Sequence, residues 1–340
     1  MLAIDLPIQQ ILEALSRLHI GVLGDLFLDR YLDIDGALTE PSIETGLEAY
    51  QVVGVRAYPG AAGTVINNLA ALGVWRVSVL SVIGEDGEGF ELRRELEERG
   101  VDVDYLLTTP ERRTPTYAKP MLMETGKPAR ELNRLDIKNR RPMPIELTAN
   151  ILKHLAELWS QVDALIVVDQ VSESECGVVT SAVRERLAEL GAAVPGKLIL
   201  ADSRTRIGLF RNVLAKPNQA ECRQATGIGE LNLAVQTLAA RTGRAVFCTC
   251  GEQGILLGEP TGKVKLVPGF PVTGPTDTVG AGDSTSAGIA CALASGVSLE
   301  AAAVFGNLVA SITVQQIGTT GTATQQQVIE RWREVTTSSA

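Results

Sequence analysis

Short apolar runs, each closed by a polar residue and followed by a helical pattern, constrain this sequence more than any other feature. His19-Ile20-Gly21-Val22-Leu23-Gly24 ends at Asp25, and Arg76 to Ile83 leads into the turn Gly84-Glu85-Asp86-Gly87. Ala164 to Val168 ends at Asp169, Leu198 to Ala201 at Asp202, and Val213 to Ala215 at Lys216. Helical spacing follows or precedes these runs: Ile8, Ile11, Leu12, Leu15 and Leu18, then Phe90 to Arg99, Ile145 to Trp159 and 173–191. Strands alternating with helices in this way predict a mostly parallel sheet with helices on both faces. Ligands of such sheets meet the carboxyl ends of the strands, where these polar residues stand. Two segments, about 31–58 and 112–135, break the pattern. They alternate or run β-branched with no helical period, and they predict a small separate sheet inserted in a single domain spanning 1–340.

Composition narrows the function. Of 340 residues, 45% are apolar and 21% charged, enough for a sizeable core without long disorder. The net charge of −9 argues against a nucleic-acid partner. Cys176, Cys222, Cys248, Cys250 and Cys291 are scattered and lack zinc spacing, so reduced thiols of a cytoplasmic protein are expected. No basic segment followed by an apolar one opens the chain, and no apolar run approaches a membrane span.

The chemistry concentrates at Asp277-Thr278-Val279-Gly280-Ala281-Gly282-Asp283, which small apolar residues follow to Leu293. We read a loop that becomes a buried helix near Gly282 and ends at Gly296. Gly280 and Gly282 let a bulky group approach the backbone, and the free N–H groups of a first helical turn bind anions. Asp283 projects towards the same space. An anion hole beside a carboxylate suits phosphoryl transfer to an alcohol, the carboxylate accepting the proton. Taken alone, the pattern is equally that of a tight turn with an aspartate favoured by the helix dipole. An ordinary aspartate is ionised at neutral pH, and the same is expected of Asp283.

The whole stretch resembles the C-terminal signature of the PfkB (ribokinase-like) carbohydrate kinases, and Gly24-Asp25-Leu26-Phe27-Leu28-Asp29-Arg30-Tyr31 resembles their opening, most of all in the bacterial heptose-phosphate kinases. The resemblance implies a three-layer ribokinase-like α/β fold, a lid formed by the small sheet, and often a homodimer through that lid. It makes Asp283 the catalytic base, with Gly280, Ala281 and Gly282 as the anion hole. Asp25, Gly60, Ala61, Thr64 and Arg134 fall on the sugar side, Ala61 replacing a family glycine and Thr64 a family asparagine. ATP is expected across Lys216, Asn218, Thr249, Gly251, Gly254 and Asn307. Asn218-Gln219-Ala220-Glu221 repeats a motif linked to Mg²⁺, with Glu221 acting through water; by chemistry alone it is a capping box. Asp277 falls where many relatives bind a monovalent cation such as K⁺. By residue type alone Asn307 is a satisfied core asparagine, and Arg134-Leu135-Asp136 a surface ion pair. The subgroup's lysine shortly after the aspartate is missing from Asp169-Gln170-Val171-Ser172-Glu173. The implied activity is ATP-dependent phosphorylation of a sugar or sugar-phosphate hydroxyl. The alternatives are a nucleoside or other small-alcohol kinase and a catalytically silent nucleotide-binding regulator. Gly84 to Gly89 has the wrong spacing for a dinucleotide fingerprint.

Overall fold

Every second residue of the central strands enters one core, and the residues between enter another. In β9 (Ala164–Asp169), Ala164, Ile166 and Val168 join one cluster while Leu165 and Val167 join the opposite one. In β10 (Leu198–Ser203), Leu198 and Leu200 divide from Ile199 and Ala201 in the same way. Burial on both faces is why these strands read as unbroken apolar runs rather than as alternating ones. The computed structural model describes residues 6–124, 126–318 and 320–337.

The central sheet has nine strands. Five neighbouring strands run parallel to one another, from β10 and β9 through β1 (His19–Gly24) and β4 (Arg76–Gly84) to the edge strand β5 (Leu106–Thr109). The rest are β11 (Leu214–Ala215), β12 (Val246–Thr249), β13 (Gly254–Gly258) and β14 (Val264–Pro268). The order is β14-β13-β12-β11-β10-β9-β1-β4-β5, and only the β12-β13 and β13-β14 pairs are antiparallel. One face is covered by α1 (Ile8–Leu15), α2 (Ala62–Ala71), α3 (Gly87–Glu98), α8 (Ala281–Ala294) and α9 (Leu299–Thr313). The other carries α4 (Ile145–Gln161), α5 (Ser181–Ala193), α6 (Gln219–Thr226) and α7 (Leu231–Thr242). A last helix, α10 (Gln325–Thr337), was not foreseen from the sequence; its Val328 and Trp332 pack on the first core.

The small sheet is present and longer than expected. It consists of β2 (Leu26–Pro41), β3 (Glu48–Ala61), β6 (Thr116–Met123), β7 (Arg130–Glu131) and β8 (Leu135–Ile137). β2 pairs antiparallel with β3 and parallel with β6. Because β1 runs into β2 with only Asp25 between them, Asp25 is the hinge point between the two sheets.

One helix begins later than its spacing predicts. The apolar period from 173 suggests a helix over 173–191, but the chain stays irregular until Thr180, whose side chain caps α5. The reason lies in the site: this loop is held by side chains from elsewhere in the fold.

Candidate active site

Strand order reverses between β1 and β9, so their carboxyl ends open a crevice with Asp25 on one lip and Asp169 on the other. Asp25 is buried, and backbone amides saturate much of its acceptor capacity. Its Oδ2 accepts from the N–H groups of Gln170 and Val171 (3.0 Å each) and its Oδ1 from that of Val178 (2.7 Å). Burial, then the neighbouring Asp169 charge, pushes its carboxyl up to about 6. Asp169 accepts a hydrogen bond from Ser203 Oγ (2.6 Å) and pairs with Arg206, which also donates to the carbonyls of Val171 and Ser172. Buried Arg112 donates to the carbonyl of Cys176 and, at 3.2 Å, to that of Arg141. Asp25, Arg206 and Arg112 therefore fasten the 170–178 loop over the end of β1.

Opposite stands the first turn of α8. Gly280 caps it in the left-handed region (φ 78°), and a methyl group there would lie 3.3 Å from both Thr64 and Thr320. Ala281 N–H donates to the Thr278 carbonyl (3.2 Å), so this amide does not join the anion hole expected of it. Among the described residues the amides of Gly280, Gly282 and Asp283 have no acceptor. A Cβ on Gly282 would sit 3.5 Å from Lys216 Nζ, which places an ammonium against the same turn. That ammonium is buried and paired with Asp202 Oδ2 (2.9 Å), which also accepts from Ser286 Oγ (3.2 Å). Burial opposes its charge, but Asp202 with Glu221 and Asp283 holds its pKa above the usual lysine range.

Asp283 departs from the expectation of an ordinary carboxylate. Burial, then the Asp202 charge, pushes it up to about 7, against the opposing pull of Lys216 and Arg204; Asp29 adds to the upward push. Glu221 is shifted up as well, by burial first and then by Asp202. For both carboxyls burial is the larger cause and the Asp202 charge a smaller one.

Beyond the end of β11, Asn218 and Glu221 form the reciprocal capping box of α6: Asn218 Oδ1 accepts from Glu221 N–H (2.9 Å), and Glu221 Oε2 from Asn218 N–H (2.8 Å). Asn218 bridges to Thr249 at the next strand end. Gly251 (φ 60°) and Gly254 (φ 101°) both take conformations that disfavour side chains, and a Cβ on Gly254 would lie 2.2 Å from the Val267 carbonyl. Asn307 is buried and donates to the carbonyls of Val267 and Pro268 (3.1 Å each), tying α9 to β14. Asp277 clasps two loops, Oδ1 accepting from Val279 N–H (3.0 Å) and Oδ2 from Gly318 N–H (3.1 Å). Thr319, in the loop expected to share a cation with it, lies outside the described residues.

On the lid side, Thr64 is buried against Gly280. Arg134 makes a bidentate pair with Asp136 (2.6 and 2.9 Å) and lies over the ring of Tyr117 (4.1 Å). Gly60 abuts Asp29: a Cβ there would lie 3.0 Å from its carboxyl. Ala61 adopts φ 54°, ψ −115°, a conformation natural only to glycine. Ala61→Gly should therefore raise stability by about 1 kcal/mol, read as a higher midpoint in urea at an unchanged slope.

Reading the sequence missed four groups that the fold brings to this cleft. Asp202 was visible only as a strand end, and Arg204 two positions later went unnoticed. Arg204 lines the same cavity as Asp25, Tyr117 and Gln170, and its charge acts on both Asp283 and Glu221. Asp29 and Lys119, an ion pair at 3.3 Å, stand on adjacent lid strands. Polar residues at strand ends were the available signal for the first two; nothing local marked the lid pair.

The chain is 29% identical over 330 residues to the bifunctional protein HldE of Citrifermentans bemidjiense, covering 95% of this chain and 65% of the relative. It is 30% identical over 319 residues to the HldE of Syntrophotalea carbinolica, covering 92% and 62%. The chain thus spans somewhat under two thirds of these curated relatives. Among solved structures, phosphofructokinase-2 from Escherichia coli in complex with potassium superposes with a TM-score of 0.70 at 18% identity, covering 94% of this chain and 99% of that one. Arabidopsis thaliana ribokinase complexed with ribose and ATP gives 0.65 at 17%, covering 92% and 98%. At these identities the superpositions speak for the ribokinase-like fold. The model of the pfkB family carbohydrate kinases matches residues 32–133 and 210–326, most of the chain, and this shows that the chain belongs to that family.

Proposed function

We propose that the chain transfers the γ-phosphoryl group of ATP to a hydroxyl of a sugar or sugar phosphate. The observation that carries this is the juxtaposition at α8: three unpaired amides, a buried ammonium and a carboxyl tuned to about 7 share one turn. The acceptor oxygen attacks the γ-phosphorus, the bond to the β-phosphate oxygen breaks, and the acceptor proton passes to Asp283. ADP and the phosphorylated acceptor leave. The amides of Gly280, Gly282 and Asp283 stabilise charge on the moving group, and Lys216 beneath them reinforces the field. Arg204 approaches from the end of β10 and supplies a second cation at the mouth. Lys216, Asn218, Thr249, Gly251, Gly254 and Asn307 form the nucleotide side.

The carboxyls of Asp202, Glu221 and Asp283 gather around Lys216, and such a set suits a divalent cation held through water. Glu221 would hold Mg²⁺ through water, and the ion when bound neutralises phosphate charge. Asp277, clasping the two loops, is where a monovalent cation would sit.

The test is ADP release against sugars, heptose and other sugar phosphates, and nucleosides. Turnover with a sugar or sugar phosphate supports the reading. Turnover only with nucleosides would move the acceptor class, and ATP binding without turnover on any acceptor would refute the kinase. Exposed Val53, Val55 and Leu135 on the small sheet, with Leu47 in the loop joining β2 and β3, support a homodimer through the lid. Light scattering should then give about twice the 36.2 kDa of one chain.

A further inference from the structure

Three of the five cysteines meet in one place. Val246, Cys248 and Cys250 stand on one face of β12 and its continuation, and with Cys222 of α6 they enter the second core. The thiol of Cys248 is hydrogen-bonded to those of both Cys222 and Cys250, and Cys250 Sγ also donates to the Cys248 carbonyl at 3.4 Å. Cys176, on the 170–178 loop, and Cys291, in the first core, stand elsewhere.

A single buried cysteine is a small apolar side chain. Two that touch across one residue of the nucleotide side are a dithiol. Thr249 lies between Cys248 and Cys250; its N–H donates to the Pro217 carbonyl at 2.9 Å, and it bridges to Asn218. Residues two apart along an extended strand are about 6.6 Å from each other, whereas a disulfide draws its Cβ atoms to about 3.8 Å. Closing such a bond therefore bends the chain at Thr249. The backbone already turns there, Cys250 having φ −120°, ψ 30°. The cluster is buried, Cys250 least so at 5% exposed, and the exposed residues Gly251, Glu252 and Gln253 follow it directly. Hydrogen bonding by Cys248 brings the Cys250 thiol down to about 7, so a nucleophilic thiolate forms near neutral pH.

We infer that Cys248 and Cys250 form a reversible disulfide switch beside the nucleotide site, closed by a peroxide and reopened by a dithiol. The Cys250 sulfur attacks one peroxide oxygen: an S–O bond forms, the O–O bond breaks, and the departing hydroxide takes up the proton Cys250 had lost and leaves as water. The Cys248 sulfur then attacks the Cys250 sulfenic acid: an S–S bond forms, the S–O bond breaks, and the Cys248 proton leaves with the hydroxide as water. Two thiols are oxidised and one peroxide is reduced to two waters. The bend withdraws Thr249 from Pro217 and Asn218, which weakens ATP binding. That consequence rests on the nucleotide side proposed above; the disulfide itself does not.

The experiment treats reduced protein with hydrogen peroxide, alkylates the remaining thiols and measures peptide masses after trypsin. Cleavage after Arg244 and Lys263 leaves both cysteines in one peptide and Cys222 in another. The 245–263 peptide should carry no label and be lighter by two hydrogens than its reduced form, and Cys222 should stay labelled. ATP binding by calorimetry should weaken about 10-fold or more, the worth of one or two hydrogen bonds, and return with dithiothreitol. Cys250→Ala and Cys250→Ser should bind ATP as the reduced wild type does, with or without peroxide, and Cys222→Ala should still switch. Labelled Cys248 and Cys250 after peroxide, a cross-link from Cys222 to Cys248, or the same loss of binding in both Cys250 variants would overturn the inference. So would a disulfide that leaves ATP affinity unchanged. If reduced wild type binds no ATP, the kinase reading has failed and the switch falls with it, whatever the peptide masses show.

Discussion

Asp283→Asn should fold as the wild type does and lose about 10²- to 10⁴-fold in kcat, the range expected when a positioned general base is removed. The substitution keeps the shape of the side chain and the N-terminal turn of α8, whose amides do not depend on it. Asparagine cannot take the acceptor proton, so the lesion falls on kcat rather than on the KM for ATP. The pH profile makes the assignment sharper. The base works as the carboxylate, and its pKa stands at about 7. Wild-type kcat/KM should therefore climb as pH rises through about 7 and level off above it. Burial raises that midpoint most, and four charged groups adjust it: Asp202 and Asp29 raise it, Lys216 and Arg204 lower it. An Asp283→Asn enzyme with near wild-type kcat, or a wild-type profile flat from pH 5 to 8, would remove Asp283 from its role.

Lys216→Met should be the most damaging change away from the reacting atoms. Lys216 and Asp202 are both buried and meet at 2.9 Å. Removing one partner of a buried pair leaves the other charge uncompensated, at about 3–5 kcal/mol of stability. The same substitution removes a cation that holds the Asp283 pKa down, so the acid limb of kcat/KM should move to higher pH. Asp202→Asn should move it to lower pH, since Asp202 is the main charged neighbour pushing Asp283 up. The double variant Lys216→Met/Asp202→Asn therefore supplies the internal control. It should regain most of the lost stability and return the limb towards the wild-type position. Chemical denaturation and a pH series on the three variants decide the matter. Additive losses in the double variant would show that the two groups are not coupled.

Much of the site was legible before any coordinates. The Gly280–Asp283 turn and the Asn218–Glu221 box depend on residues a few positions apart, and a helix start is a local event whose geometry follows from its own sequence. The positive φ of Ala61 could not be read in the same way, because alanine announces nothing of the kind; it is imposed by the turn from β3 into α2. Asn307 shows the limit from the other side. Its residue type fitted both a core asparagine and a nucleotide contact, and only the packing of α9 on β14 shows where its amide points.

What the sequence determined by itself was the layered fold: apolar runs of strand length, helical periods between them, and polar residues at the strand ends. These are short-range patterns, and burial on two faces leaves a parallel sheet as their consistent solution. What tertiary structure alone decided was the chemical state of the groups in the cleft. Residues 202, 216 and 283 come from β10, the end of β11 and α8, and 25, 112 and 206 converge on the 170–178 loop. Electrostatic coupling falls with distance through space and takes no account of distance along the chain. For that reason the raised pKa of Asp283 and the occupied oxygens of Asp25 became visible only once the chain had been folded around them.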